Sequence, residues 1–310
     1  MSGRGFKIGC VEAAVASIHP AVAELRAGQR FEGRYAVARK ERLTARNGST
    51  YLSLELRDRS GALPARVFRE PDRIGLRFER GDGVVARGKV ERFAGALVAE
   101  LDDVRRLDPG QYEPEDFLPA AYRSVDELEG FLEHLTREIH DADLAQLVGR
   151  VVFSGPAAAD FRRAPCTRGG HHAYLGGLLE HTVAVGTLVG ELCQLHPRLD
   201  SDLLMTAAIL HDVGKTREFT YGAEFGWSEE GRLLGHLTIA AEIIGAAATD
   251  LATERRLALL HCVLAHHGVD AQPGRGRAGT RTGFGSPEAL ALYRLNALEA
   301  SVKGALEQGL

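Results

Sequence analysis

From Phe31 onward, apolar positions recur every second residue. In Tyr51-Leu52-Ser53-Leu54-Glu55-Leu56 the leucines take one face and Tyr51, Ser53 and Glu55 the other, which is the period of a half-buried strand. Similar runs fall at about 31–40, 62–68, 84–92 and 96–102, divided by Asn47-Gly48, Asp58-Arg59-Ser60-Gly61, Gly81-Asp82-Gly83 and Ala94-Gly95. These dividers are turn signals. Five short strands with tight turns predict a small barrel, with Phe31, Phe68 and Phe78 in its core. Residues 1–29 read as an entry segment, partly helical between Val11 and Leu25.

Between Asp108 and Pro119 the chain changes character: Pro109-Gly110, Pro114, Glu115-Asp116 and Pro119 cluster there, and such clusters mark linkers. The expected division is therefore 1–29, a barrel over 30–108, a linker over 109–119, and a second domain over 120–310. The period then lengthens to 3.6. Val125, Leu128, Phe131, Leu132, Leu135 and Ile139 share one helical face, with Ser124 as N-cap three residues before Glu127. Further helices are predicted at about 142–153, 176–195, 201–213, 231–249, 253–267 and 287–307, so the second domain reads as all-α. The Gly/Arg-rich stretch 273–286 reads as a mobile loop whose Arg275, Arg277 and Arg281 form a clamp for a polyanion.

Composition narrows the classes. With 310 residues, 45% hydrophobic and 26% charged, the chain has enough apolar content for two folded domains and is too apolar to be disordered. Four scattered cysteines, none in a C-x-x-C pair, indicate neither a disulfide framework nor a thiolate zinc site, so a reducing, cytoplasmic setting is expected. Glu12 interrupts the one N-terminal stretch that could imitate a signal peptide, and no apolar run approaches a membrane span, so no membrane partner is expected. The net charge of −4 hides an asymmetry: residues 30–108 carry 18 Lys/Arg against 13 Asp/Glu, and residues 111–170 carry 6 against 11. The barrel can thus attract a polyanion. Nine of the twelve histidines lie between His171 and His267.

That second half holds the candidate chemistry. Ala208-Ile209-Leu210-His211-Asp212-Val213-Gly214-Lys215 is an apolar helix ending in His-Asp and stopping at a glycine. Adjacent helical residues point about 100° apart, so His211 and Asp212 can flank one ion while the second oxygen of Asp212 reaches another. Glu180-His181-Thr182 lies on the preceding apolar helix, and Gly235-His236 and Ala265-His266-His267-Gly268 follow. Imidazole plus carboxylate without thiolate suits Mn²⁺, Fe²⁺, Zn²⁺ or Ni²⁺ alike. A pair of such ions clamps a phosphate and activates water near neutral pH, the two-metal route to phosphodiester hydrolysis.

Five segments in order carry a resemblance: His171-His172-Ala173-Tyr174-Leu175-Gly176-Gly177-Leu178-Leu179-Glu180-His181-Thr182, Leu210-His211-Asp212-Val213-Gly214-Lys215, Gly231-Arg232-Leu233-Leu234-Gly235-His236, Ala265-His266-His267-Gly268 and Gly285-Ser286-Pro287-Glu288-Ala289. Over about residues 28–305 the chain resembles the HD-domain metal-dependent phosphohydrolases and, among them, the YhaM-type 3′-5′ exoribonucleases, which join an N-terminal OB-fold to an HD domain. The resemblance implies metal ligation by His181, His211 and Asp212, a second ion on His236, His266 and His267, and Lys215 facing a substrate phosphate. Asn296 stands where the family's closing aspartate is expected. An amide oxygen still coordinates a hard ion but brings no charge. Glu299 falls where the family has a second acidic residue. The cofactors so implied are two divalent ions, Mn²⁺ foremost, with Fe²⁺, Zn²⁺, Ni²⁺ and Mg²⁺ open.

The expected architecture is an OB-fold followed by an all-α HD domain, and the expected partner is single-stranded RNA or DNA. Tyr51 on the polar strand face is a stacking candidate, and Arg57, Arg66 and Lys89 are candidate phosphate contacts. His171 and His172 are candidates for contact with substrate phosphate. The expected activity is removal of nucleoside monophosphates from a 3′ end, with Asp212 and Lys215 as the catalytic candidates. Two other functions fit the residues: hydrolysis of mononucleotides or cyclic dinucleotides, and nucleic-acid binding by a chain whose HD site has lost turnover.

Overall fold

The computed structural model describes residues 19–108, 110–268 and 283–309. Residues 11–18 of the predicted N-terminal helix, and Arg275, Arg277 and Arg281 of the predicted loop, lie outside the described residues. The chain divides into two compact units, one through Phe117 and one from Leu118.

The first unit is a closed barrel of β1 (Arg30–Thr44), β2 (Thr50–Asp58), β3 (Gly61–Val67), β4 (Gly83–Phe93) and β5 (Ala96–Arg106) in the order β1-β2-β3-β5-β4. β4 returns antiparallel to β1, and β3 and β5 pair in parallel, Ala65 opposite Ala99. A short helix, α1 (Pro71–Gly75), leads from β3 towards β4. This five-stranded closure is the OB arrangement. The alternation read from β2 places Leu52, Leu54 and Leu56 inside, where they meet Val37, Val67, Val84, Val90 and Val104. Each such side chain contributes about 1.5–3 kcal/mol by leaving water. Phe31 and Phe78 join this core, but Phe68 does not: it is 44% exposed. Leu63, Ala65 and Val67 point inward, so period two turns residue 68 outward and aromatic character does not override it.

The second unit is built of helices: α2 (Val125–Arg137), α3 (Ala142–Val148), α4 (Ala158–Arg163), α5 (Gly177–Leu195), α6 (Ser201–Leu210), α7 (Lys215–Glu218), α8 (Glu229–Ala247), α9 (Thr253–Ala265) and α10 (Pro287–Glu307). The predicted Ser124 cap forms, its hydroxyl accepting from the Glu127 amide at 3.2 Å. Every residue from Leu203 to Leu210 is buried, and a helix apolar all round belongs at the centre of a domain. Around α6 lie α5, α9 and α10, whose buried residues share its core. The stretch 142–153, predicted as one helix, is α3 followed by a wider turn over Gly149–Phe153. α4 and a hairpin of Phe219–Tyr221 (β6) with Phe225–Trp227 (β7) were not anticipated, because three-residue strands are too short to show a period. No helix among the described residues is long and apolar enough to cross a membrane.

Candidate metal centre

The last carbonyls of a helix have no partner within it. At the end of α6 and of α9 a histidine supplies one: His211 Nδ1 donates to Ala208 O at 2.7 Å and His266 Nδ1 to Val263 O at 2.6 Å. Both imidazoles are fully buried and turned so that Nε2 faces Asp212. His181, on α5, donates Nδ1 to Glu299 Oε2 at 2.5 Å. His236 arrives differently. Gly235 breaks α8 with φ 71°, a conformation that costs glycine little, and the turn lets Glu218 Oε1 accept both the His236 amide at 2.9 Å and its Nδ1 at 3.0 Å.

With Nδ1 protonated, a neutral imidazole presents a lone pair at Nε2. Burial pushes His181 down to about 4 and His266 to about 3, so both are neutral at ordinary pH. Two groups of acceptors result. In the first, His181 Nε2 lies 3.2 Å from His211 Nε2, 3.0 Å from Asn296 Oδ1 and 3.6 Å from Asp212 Oδ2. In the second, Asp212 Oδ1 lies 3.4 Å from His266 Nε2 and 3.6 Å from His236 Nε2, itself 2.9 Å from His267 Nε2. The orientation of Asn296 is fixed by its amide nitrogen, which donates to His266 O at 3.3 Å.

Converging lone pairs repel unless a cation lies among them. Two of these atoms, Asp212 Oδ1 and His266 Nε2, are buried with no hydrogen-bond partner, a state that costs about 1–3 kcal/mol per group. The donor set therefore fits a divalent ion at each group, with Asp212 shared between them. Burial alone would raise the Asp212 carboxyl; the Lys215 ammonium and the histidines outweigh it and hold it well below the usual carboxylate range.

Lys215, expected to face a substrate phosphate, is buried and occupied: Nζ donates to Asp212 Oδ2 at 2.6 Å and to Cys166 Sγ at 3.3 Å. Burial opposes its charge, but Asp212 outweighs burial and holds the ammonium above its ordinary value. His172, also expected near a substrate phosphate, lies deeper. It is 1% exposed and both ring nitrogens are taken, Nε2 by Glu299 Oε1 at 2.7 Å and Nδ1 by the Tyr174 hydroxyl at 2.8 Å, so in this structure it lies behind the site. His171 stays at the edge, half-buried, with Nε2 3.6 Å from Cys166 Sγ and its ring 5.4 Å from that of His181.

Sequence reasoning missed Glu218 and Cys166, and it placed Glu299 one turn from Asn296, as an acidic residue able to compensate for the charge Asn296 lacks, without finding what it contacts. The thiol of Cys166 is fully buried and pushed up to about 12, chiefly by desolvation.

On the barrel, Tyr51 packs against Phe68 with centroids 5.4 Å apart, and the Arg66 guanidinium lies 4.1 Å over the ring of the 56%-exposed Phe93. These four side chains form an aromatic and cationic outer surface where β2 begins and β3 and β4 end. Arg57 stands at the far end of β2, half-buried, and Lys89 is paired with Glu91 at 3.0 Å. The expected Tyr51 and Arg66 thus share a surface, whereas Arg57 lies about 20 Å along the strand from Tyr51.

A carboxylate set among histidine nitrogens that could hold metal, in a chain that also carries an OB barrel, is the arrangement of a metal-dependent HD phosphohydrolase with a nucleic-acid-binding module. The sequence agrees: residues 178–300 match the HD domain family and residues 32–107 the OB-fold nucleic acid binding domain family. More narrowly, the chain belongs to the family of the 3′-5′ exoribonuclease YhaM. It is 30% identical to the Oceanobacillus iheyensis protein of that name over 246 residues, covering 78% of this chain and 76% of that one. It is 28% identical to the Listeria innocua protein over 264 residues, 84% and 81% of the two chains, and 29% identical to the Bacillus subtilis protein over 227 residues, 72% of each.

Proposed function

We propose that the chain is a metal-dependent 3′-5′ exoribonuclease that shortens single-stranded RNA, with single-stranded DNA as the alternative substrate, one nucleoside monophosphate at a time. The observation that carries this reading is the Asp212 carboxylate, one oxygen turned to each of two adjoining groups of imidazole nitrogens. In it, His181, His211, Asp212 and Asn296 hold a first divalent ion and His236, His266 and His267, with Asp212, a second. Mn²⁺ is the foremost choice, with Fe²⁺, Zn²⁺, Ni²⁺ and Mg²⁺ as alternatives. Bound there, such ions polarise a phosphate and activate water.

The protein's own groups do the rest. Lys215 keeps Asp212 ionised, and His171 lies at the rim where a phosphate would enter. Residues 30–108 act as the strand-binding domain, 109–119 as the linker and 120–310 as the hydrolase. Tyr51 and Phe68 offer ring faces to bases, and Arg66 offers charge to the backbone; aromatic platforms with basic side chains bind single strands with little sequence preference.

The test is incubation of the purified chain and its Asp212→Ala variant with 5′-labelled single-stranded RNA, and with matched DNA, in Mn²⁺. A ladder that shortens from the 3′ end and is absent from the variant is the expected result. Intact RNA in a sample that contains metal and binds the strand would overturn the proposal.

A further inference from the structure

Resting on the metal site just described, we propose that Glu299 is a positioning residue for the first ion, supplying through His181 the negative charge that Asn296 does not. Glu299 is three residues beyond Asn296 on α10, so the two share a face of that helix. Asn296 reaches the ion position directly with a neutral oxygen 3.0 Å from His181 Nε2. Glu299 reaches it one residue removed, its Oε2 accepting from His181 Nδ1 at 2.5 Å. The first position has only one charged donor, Asp212 Oδ2, and that oxygen is shared with Lys215 Nζ at 2.6 Å. An ion there would meet two neutral imidazoles, a neutral amide oxygen and a carboxylate already partly neutralised.

The surroundings of Glu299 suit that role. Its other oxygen accepts from His172 Nε2 at 2.7 Å, and its side chain is 9% exposed. His172 pays for this arrangement with a left-handed φ of 50°, a strained state for a residue with a side chain. It is pinned further by its amide, which donates to Glu307 Oε2 at 3.0 Å, and by Tyr174, whose hydroxyl donates to Glu180 Oε2 at 2.8 Å. A carboxylate behind a ligating histidine fixes the ring's tautomer and strengthens Nε2 as a donor, and its loss commonly costs 10–100-fold in metal affinity.

The experiment is a Mn²⁺ titration of the EDTA-stripped full chain, following the electron-spin signal of the free ion. Glu299→Gln is expected to weaken one class of site by 10–100-fold and leave the other unchanged. Asn296→Asp in the same chain is expected to restore most of that loss, because it returns a charge to the same position. A Glu299→Gln protein that titrates like the parent overturns the proposal. A parent chain that binds no Mn²⁺, and no Zn²⁺ in a parallel titration, removes the metal reading itself, so the two failures are told apart. A second measurement needs no variant: long-range ¹⁵N correlation of the imidazoles in the metal-free parent. A protonated Nδ1 with a strongly downfield proton at His181 supports the role of Glu299, and a protonated Nε2 there refutes it.

Discussion

Replacing Asp212 by Asn in the metal-free chain strands the Lys215 ammonium. The two groups are 2.6 Å apart, with side chains 1% and 7% exposed. At an effective dielectric of about 20 their gross attraction is about 6 kcal/mol. Desolvation takes back part of that, and breaking one partner of such a buried pair costs about 3–5 kcal/mol. We expect Asp212→Asn to lower stability by that amount, and Lys215→Met in the same chain to recover at least about 2 kcal/mol by removing the orphaned charge. Urea unfolding in EDTA measures this, and Trp227 is well placed to report it. It is the sole tryptophan and lies on β7, so its fluorescence follows the helical unit alone. Adding Mn²⁺ at about a hundred times its dissociation constant should stabilise the parent by about 2.7 kcal/mol and leave both variants unmoved. A coupling below about 1 kcal/mol between the two substitutions would falsify the view that Lys215 is chiefly the counter-ion of Asp212.

Three further outcomes are expected. A Cβ at Gly214 would sit 2.0 Å from His236 O and 2.8 Å from the Ala240 amide nitrogen, so Gly214→Ala must push away the part of α8 that follows Gly235; on the proposed two-ion reading, bound Mn²⁺ should fall from two ions to one by elemental analysis. In the apoprotein, burial depresses His181, His266 and His267 to about 4, 3 and 4, against an ordinary value near 6.5. The unfolded chain takes up protons first, so stability is intact above pH 6.5 and is lost as the pH falls towards 4, by up to about 1.4 kcal/mol per pH unit for each histidine; a flat acid limb in urea midpoints would contradict this. Phe68→Ala should weaken binding of a short single-stranded RNA by about 1–3 kcal/mol in fluorescence anisotropy, and an unchanged midpoint would remove Phe68 from the binding surface.

The elements that the sequence revealed are those whose signal is periodic or contiguous. Leu52, Leu54 and Leu56 announce β2 because alternation survives in any context, and His211-Asp212 announces the site because a polar pair ends an otherwise apolar helix. The break at Gly235 was not foreseen, because the stretch 231–249 reads as one helix. Glu218 and Glu299 were opaque as to role because each acts on the far nitrogen of a histidine distant in sequence, 18 residues away for His236 and 118 for His181. Lys215 and His172 read as substrate contacts for a related reason. A charged or polar residue beside a ligand in sequence suggests a substrate contact, whereas burial had already committed both to protein partners.

Four of the candidate ligand histidines have Nδ1 held, and they fall into two matched pairs. His211 and His266 are steadied by main-chain oxygens, Ala208 O and Val263 O, which no substitution at those positions deletes. His181 and His236 are steadied by the carboxylates of Glu299 and Glu218, which a single codon change can remove. Each proposed ion position therefore has one imidazole steadied by the main chain and one steadied by a replaceable carboxylate. Metal preference at either position can drift, or be engineered, through one supporting carboxylate while every coordinating side chain stays as it is.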